Sequence, residues 1–472
     1  MSTFSGLGTA ASALAAARRG MDVVGQNIAN QATEGYTRQR VSTSAIAAVA
    51  QSGRFSMGAL PGHGVAVDGI VRLGDALLDA RVRDTSAAAG FWSTRALAAT
   101  TAEKALAEPG AQGLSARFTQ FWSSWQDVGN APDSGAAGAV VLESATELVA
   151  HIADGYRAVA AQWSDARTSA ERTVSQVNAT ATQIAALNGE IRDALAAGRS
   201  ANELIDRRDT LVQTAARLVG ARGTLEADGT MTVRVDGNAL VAGGDARALR
   251  IDGPNAIDQA GRLTVSWVGA SADDEFAASI GGGELGGLLS VLAPAQDGGT
   301  LAGLADAYNE VARTLAKDVN AQHSAGVTGT GQNGGDFFSL AADGPAALGL
   351  RLAVRSASEL ALAARDAGAL DAGNADAISQ IGRSVTGPDA AWADAVSGFA
   401  VATAGDIQRA RVSEVASVAA IGAQRSVAGV DGDEETISLL TYQTAYQAAA
   451  RVLTAVDESL DVLINRTGLV GR

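Results

Sequence analysis

The stretch EETISLLTYQTAYQAAARVLTAVDESLDVLINRT, residues 434–467, reads as one helix with a seam. Leu439, Tyr442, Tyr446, Ala449, Leu453, Val456, Leu460 and Leu463 follow at steps of 3, 4, 3, 4, 3, 4 and 3 residues. That spacing keeps a row of side chains on the face of a helix that meets a partner helix. The start is marked too. Gly432 precedes it, Asp431 and Glu434 are spaced as a capping box, and Asp433 and Glu435 put negative charge where the first-turn amides are unpaired. An apolar stripe of this length needs something to cover it.

The other end of the chain carries a matching repeat. Leu7, Leu14, Met21 and Ile28 recur every seven residues, with Phe4 and Ala11 between them, and the pattern stops at Asn30. Arg18 and Gly25 fall on the intermediate row, so this seam is more open. Pairing the two ends as a coiled coil covers both stripes at once; the alternative is that each helix packs on its own local core. Burial along one such seam roughly balances the entropy of ordering the helix. The terminal helices are therefore expected to be mobile in a free monomer and to order when other copies or partners cover them.

Composition narrows the class. With 36 Lys and Arg against 51 Asp and Glu, the net charge is −15, which disfavours nucleic acid and anionic membranes as partners. Lysine occurs only as Lys104 and Lys317, and cysteine is absent, leaving no disulfide framework, thiolate nucleophile or Cys-ligated zinc. Residues 1–17 lack the basic start of a secretory signal, so any export is expected without a cleaved leader. No unbroken run of 18 apolar residues occurs, so no membrane insertion is expected.

Between the ends the chain alternates in character. Residues 41–72 read as an extended connector with strand-like alternation at Val65, Val67 and Ile70. Helical periodicity then runs from Asp75 to Glu108, where Pro109 and Gly110 stop it. A shorter helix from Leu114 to about Val128 carries Phe118, Phe121, Trp122 and Trp125 at core-face spacing. Residues 139–197 stay helical, with a break expected at Asp154-Gly155. They carry a second heptad row of Ala170, Val174, Val177, Ala181, Ile184, Asn188, Ile191 and Leu195, in which Asn188 would fix helix register. Ser200 and Glu203 are spaced to cap the next helix, which ends at Gly220.

Composition switches after residue 221. Asp228-Gly229 and Asp236-Gly237 flank the alternation Met231, Val233, Val235, a hairpin signal, and Leu263, Val265 and Trp267 alternate likewise. Helix is expected again over 285–322 and 389–424, with a loop over 425–432. The fold expected is mainly α with an inserted β domain. Residues 1–40 and 432–472 form a terminal coiled coil, 41–221 and 283–431 a body of long helices, and 222–282 a small outer β unit. Residues 345–385 carry no clear pattern and could join the outer region.

Catalytic chemistry finds no foothold. His63, His151 and His323 lie far apart without metal-site spacing. No nucleophile elbow, Walker A loop or His-Glu-x-x-His occurs. Gly281 to Gly286 has the wrong spacing for a dinucleotide fingerprint, and the loop Gly329 to Asp336 offers one carboxylate, too few for calcium. Asn178-Ala-Thr180 and Asn465-Arg-Thr467 match glycosylation acceptors by chance on expected helices. The reading is of a non-enzyme with no cofactor and no metal.

Asn27-Ile-Ala-Asn30 followed by Gly35-Tyr-Thr-Arg-Gln39 resembles the N-terminal signature of bacterial flagellar axial proteins, and its ending resembles the hook-associated protein 1 family most. Ala186-Leu-Asn-Gly-Glu-Ile191, Asn202-Glu-Leu-Ile-Asp-Arg-Arg-Asp209, Gly283-Glu-Leu-Gly-Gly287, Gly335-Asp-Phe-Phe338 and Gln443-Thr-Ala-Tyr-Gln447 agree with it. Gln26 and Ala449 depart from the family pattern.

The resemblance implies a structural protein exported through the flagellar type III channel and assembled as a homo-oligomeric tube between hook and filament. Its partners would be the hook protein, a second junction protein and a cytoplasmic chaperone on the last helix, with Leu453, Leu460 and Leu463 as the shared surface. Assembly residues expected are Leu7, Leu14, Met21, Asn27, Ile28, Asn30 and Tyr36 at one end. At the other they are Leu439, Tyr442, Tyr446, Leu453, Val456, Leu460 and Leu463. Another type III-secreted coiled-coil protein, a translocator or effector, is the alternative.

Overall fold

The computed structural model describes residues 3–47, 62–269, 276–368 and 370–466. The chain opens with α1 (Thr3–Ala29), followed by the strands β1 (Gln39–Ala45) and β2 (Val65–Arg72). Four helices come next: α2 (Ala76–Leu106), α3 (Leu114–Asn130), α4 (Gly135–Ala196) and α5 (Asn202–Val219). Seven short strands form the β unit: β3 (Arg222–Leu225), β4 (Met231–Val235), β5 (Asn238–Ala242), β6 (Asp245–Ala246), β7 (Leu249–Asp252), β8 (Thr264–Trp267) and β9 (Phe276–Ala278). The chain returns to helix with α6 (Gly283–Val291) and α7 (Thr300–Ala325). Then come β10 (Phe338–Ser339), α8 (Ala346–Gly349), β11 (Arg351–Leu352) and α9 (Gly373–Ser379), and finally α10 (Pro388–Ala428) and α11 (Gly432–Asp461). The last residues of the expected C-terminal helix, 467 onward, lie outside the described residues.

The core of the body is aromatic. Phe118, Phe121, Trp122 and Trp125 of α3 are buried, and Trp125 and Phe121 pack on Phe337 at ring distances of 5.3 and 6.1 Å. Three asparagines then peg strands and loops onto the helices. Asn178 of α4 brackets Leu249 of β7, donating to its carbonyl at 2.9 Å and accepting from its N–H at 2.8 Å. Ten residues on, buried Asn188 does the same for Met231 of β4 at 2.9 Å each way and donates a third bond to the Gly243 carbonyl. Asn320 of α7 accepts from Phe337 and Phe338 and donates back to the Phe338 carbonyl. Each amide supplies the donor and acceptor that an unpaired backbone position needs once buried. The register-fixing role expected of Asn188 between helices is therefore replaced by docking of a β-hairpin.

Several other expectations are corrected. α4 runs unbroken through Asp154-Gly155, because Gly155 sits under the Tyr308 ring where any side chain would collide. Its row from Ala170 to Ile191 is buried while Leu195 is exposed. The described parts of residues 41–72 are not an extended connector, because β1 and β2 pair antiparallel and lie on α1. The helix expected over 285–322 is interrupted after Val291, where Pro294 opens a 3-10 turn before α7. Residue 201, not Ser200, is the N-cap of α5, and its side chain makes no cap bond. α10 continues through the expected loop to Ala428, where Gly429 caps it. By length and composition α4 could cross a membrane; its apolar side packs here on α3, α5 and α7.

Candidate assembly site

α1 and α11 pack against each other along their length. A Cβ at Gly6 would touch Val456 and one at Gly20 would strike the Tyr442 ring, while Asn27 bonds to Glu435. As α1 advances, its partner recedes by the same number of residues, so the pair is antiparallel and in constant register.

The face that α1 presents differs from the expected one. Leu7, Leu14 and Met21 are half-exposed and Ile28 is exposed, while Ala10, Ala17, Gly20, Val24 and Asn27 are buried. The row that touches α11 or is buried beside it is Gly6, Ala10, Ala17, Gly20, Val24 and Asn27, of which the first four are glycine or alanine. Small side chains let the backbones approach so that the larger residues of α11, Tyr442 above all, fill the space between them. On α11 the seam positions Leu439, Tyr442, Tyr446, Leu453, Val456 and Leu460 are half-buried and Ala449 is buried. Leu463 falls beyond α11 in an irregular last turn and is exposed. Asp431 caps α11 by accepting from the Asp433 and Glu434 amides, but Glu434 does not complete the box. Its carboxylate turns to Arg38 instead.

At the base of this pair the residues of the N-terminal signature form a polar clasp. The Asn27 amide donates to Glu435 Oε2 at 3.0 Å and to the Gln39 carbonyl at 2.9 Å, and its oxygen accepts from Tyr36 and from the Gln39 N–H. Arg38 closes the ring, donating to Glu435 Oε1 and to Glu434 Oε2 at 2.6 Å each, while its backbone N–H donates to the Ala428 carbonyl. Asn30 caps the end of α1 by donating to the Gln26 carbonyl. Gly35 takes a left-handed φ of 77°, and a side chain there would strike Thr210 of α5.

The clasp is tied to the body by a second ion cluster. Arg72 of β2 reaches Asp206 at 2.6 Å and Asp209 at 3.1 Å. The Thr37 N–H donates to Asp206, and Asn202 of α5 donates to Gln39 and to the Ile70 carbonyl. Between the clasp and α2, α5 and α10 lies a polar cavity of about 830 Å³.

Electrostatics follow burial. Tyr36 is pushed up to about 12, by burial first and then by Asp206, Glu203 and Glu435, so it donates as a neutral phenol. Burial opposes the charge on Arg38, but Glu434 and Glu435 outweigh it and hold the guanidinium more firmly protonated than usual. At Asp206 burial wins over Arg72 and Thr37, and its carboxyl lies above the usual range. These groups are fully engaged with one another. Among the described residues no group of three or more His, Asp or Glu is arranged to hold a metal.

Of the expected site residues, the structure brings Asn27 and Tyr36 into one cluster. It leaves Leu7, Leu14, Met21 and Ile28 along the flank of the pair. Sequence reasoning missed Glu435, Arg38, Arg72 and Asp206 as members. The available signal was that Arg38 and Asp206 belong to two of the stretches shared with axial proteins.

Comparison with known proteins agrees in order along the chain. Residues 7–37 match the family model for flagella basal body rod proteins, and residues 426–466 that for the C-terminal part of flagellar basal body rod FlgEFG proteins. These two stretches hold α1, α11 and most of the clasp, and they define the class as flagellar axial proteins. Residues 99–338, just over half of the chain, match the helical domain of flagellar hook-associated protein FlgK. The chain belongs to the flagellar hook-associated protein 1 family, with a structural role at the hook–filament junction.

The chain is 28% identical to flagellar hook-associated protein 1 of Bacillus subtilis over the whole of both chains. It is 31% identical to that of Salmonella typhimurium over 70% of this chain and 58% of the relative. The solved structure of the flagellar hook junction protein FlgK from Burkholderia pseudomallei has the same fold. That match has a TM-score of 0.64 at 16% identity and covers 75% of this chain and all of that one.

Proposed function

We propose that copies of this chain stand side by side as a tubular layer between hook and filament, with the α1–α11 pairs innermost. The observation that carries this reading is the one-sided burial of the terminal pair. The clasp fixes α1 and α11 to each other, yet among the described residues of α11 only Glu435 and Ala449 are buried. Ile437, Leu440 and Val452 remain exposed, as does Ile28 on α1. Such apolar faces on an otherwise acidic chain call for a further covering surface.

In this reading residues 1–40 and 432–472 are the inner domain, 41–221 and 283–431 the body, and 222–282 the outer unit. Leu7, Leu14, Met21 and Ile28 meet neighbouring copies, the layer is bounded by hook protein on one side and a second junction protein on the other, and the chain acts as a structural element without catalysis. Before export through the type III channel a cytoplasmic chaperone covers Leu453, Leu460 and Leu463. Nucleic acid and membrane are not partners.

The test is electron microscopy of a deletion strain together with an assay for flagellin in its medium. Bare hooks with released, unpolymerised flagellin are expected. Normal filaments would overturn the reading.

A further inference from the structure

Arg83 of α2 is nine-tenths buried, yet among the described residues its guanidinium meets no hydrogen-bond acceptor, carboxylate or aromatic ring. Its nitrogens are not among the sealed, unpaired atoms of the structure, so they open into the polar cavity of about 830 Å³ that Arg83 lines. A guanidinium keeps its proton, so burying it without a counter-charge is costly. A free anion does not meet the need, because the wall carries six carboxylates against four arginines and repels it. Five of the six are engaged. Asp206 and Asp209 hold Arg72, Glu434 holds Arg38, Asp79 accepts from Gln424, and Asp431 accepts from the first amides of α11. Among the described residues Glu34, on the turn after α1, is left without a partner, and so is Arg425, which lies in solvent. One buried cation on the body and one spare carboxylate on the clasp thus share a cavity without touching.

The turn that carries Glu34 is a thin wall. Its other side lines a second groove of about 670 Å³, floored by Leu187 of α4 and Leu211 of α5, and between the two voids Gly35 rests on Thr210. The helices and strands of the terminal unit, α1, β1, β2 and α11, make their extensive contacts with one another. Between that unit and the body the chain crosses at residues 73–75 and 429–431, and each crossing brings a glycine, Gly74 or Gly429, into the wall of the polar cavity. Short crossings of this kind absorb the backbone rotation of a hinge. We infer that the terminal unit rocks on the body about Gly35 between two settings. In the open setting, the one this structure shows, Arg72 anchors the joint on Asp206 and Asp209. In the closed setting the polar cavity collapses, Glu34 ion-pairs with Arg83, and the groove over Leu187 widens. The device lies within one chain and holds whatever the arrangement of copies.

Because the chain has no cysteine, spin labels can be placed cleanly on the full-length protein at Lys317→Cys of α7 and Gln443→Cys of α11, both exposed positions. Pulsed electron resonance should return two distances between them, and Arg83→Ala should remove one. A single distance, or two that survive Arg83→Ala, would overturn the inference.

A charge swap gives a second readout. Glu34→Arg and Arg83→Glu should each deplete the closed population by about tenfold, and the two together should restore it. A swapped chain no better than either single variant would sink the pairing. Arg83→Gln, neutral and similar in length, separates the latch from folding: the body should melt as in wild type while the second distance is lost.

Discussion

Asn27 on the first helix and Glu435 on the last, 408 positions apart, share a buried hydrogen bond of 3.0 Å. Glu435 spends its other oxygen on Arg38, so one carboxylate holds together both ends of the chain and the turn that leaves α1. Removing one partner of such a bond strands the others in a desolvated site.

Glu435→Ala should therefore lower the opening free energy of the terminal pair by about 2–3 kcal/mol. Hydrogen exchange would read this as a rise of roughly 30- to 150-fold for α11 amides, with the aromatic core of α3 unchanged. Equal loss in both places would show that the clasp is not local.

Gly20 and Gly25 lie one turn and a residue apart on α1 but in different surroundings. A side chain at Gly20 runs into Tyr442, while nothing lies within 4 Å of one at Gly25. Gly20→Ala should separate the two helices and abolish motility on complementation. Gly25→Ala should raise helix stability by about 0.5–1 kcal/mol, seen as a higher melting temperature for the terminal pair.

The asparagine pegs predict where the β unit is fastened. Asn188→Ala deletes three bonds and leaves the buried backbone groups of Met231 and the half-buried Gly243 carbonyl without their Asn188 partner, a loss of about 2–4 kcal/mol. Asn188→Asp should be comparably damaging, because a carboxylate cannot donate to those carbonyls. Denaturant unfolding followed at Trp267 measures both.

Two buried groups give opposite pH dependences. Burial lifts Asp389 to about 6 against the opposing indole bond from Trp122, so the native state binds its proton more readily than the unfolded chain does. Its contribution is fully present below about pH 4 and is lost as pH rises to 6. Wild type should accordingly gain stability relative to Asp389→Asn as pH falls from 6 to 4. A thermal shift difference without that trend would refute it.

His323 behaves in the other sense. Its ring contacts the Gly335 carbonyl at 2.7 Å and accepts from the Ala361 N–H at 3.0 Å, and burial lowers its pKa. The neutral ring supports the native state above pH 6.5, and that support declines as the unfolded chain takes up protons below it. Its NMR ring signal should titrate at lower pH than that of an exposed His.

The sequence by itself determined that the last helix carries a seam. Leucines and tyrosines at heptad spacing are large enough that periodicity alone exposes them, and the same holds for the aromatic face of α3. It also determined the β unit, since Asp236-Gly237 admits the left-handed pair of φ angles, 48° and 80°, that the turn between β4 and β5 requires.

Which face of α1 meets that seam was decided only in three dimensions. Hydropathy points to Leu7, Leu14 and Met21, yet close helix packing selects Gly6, Ala10, Ala17 and Gly20, because the space between two backbones is filled from the side bearing the tyrosines. The partners of Asn27, Arg38 and Asp206 were equally out of reach. A hydrogen bond has no period along the chain, and groups hundreds of residues apart acquire their meaning only when folding brings them within about 3 Å.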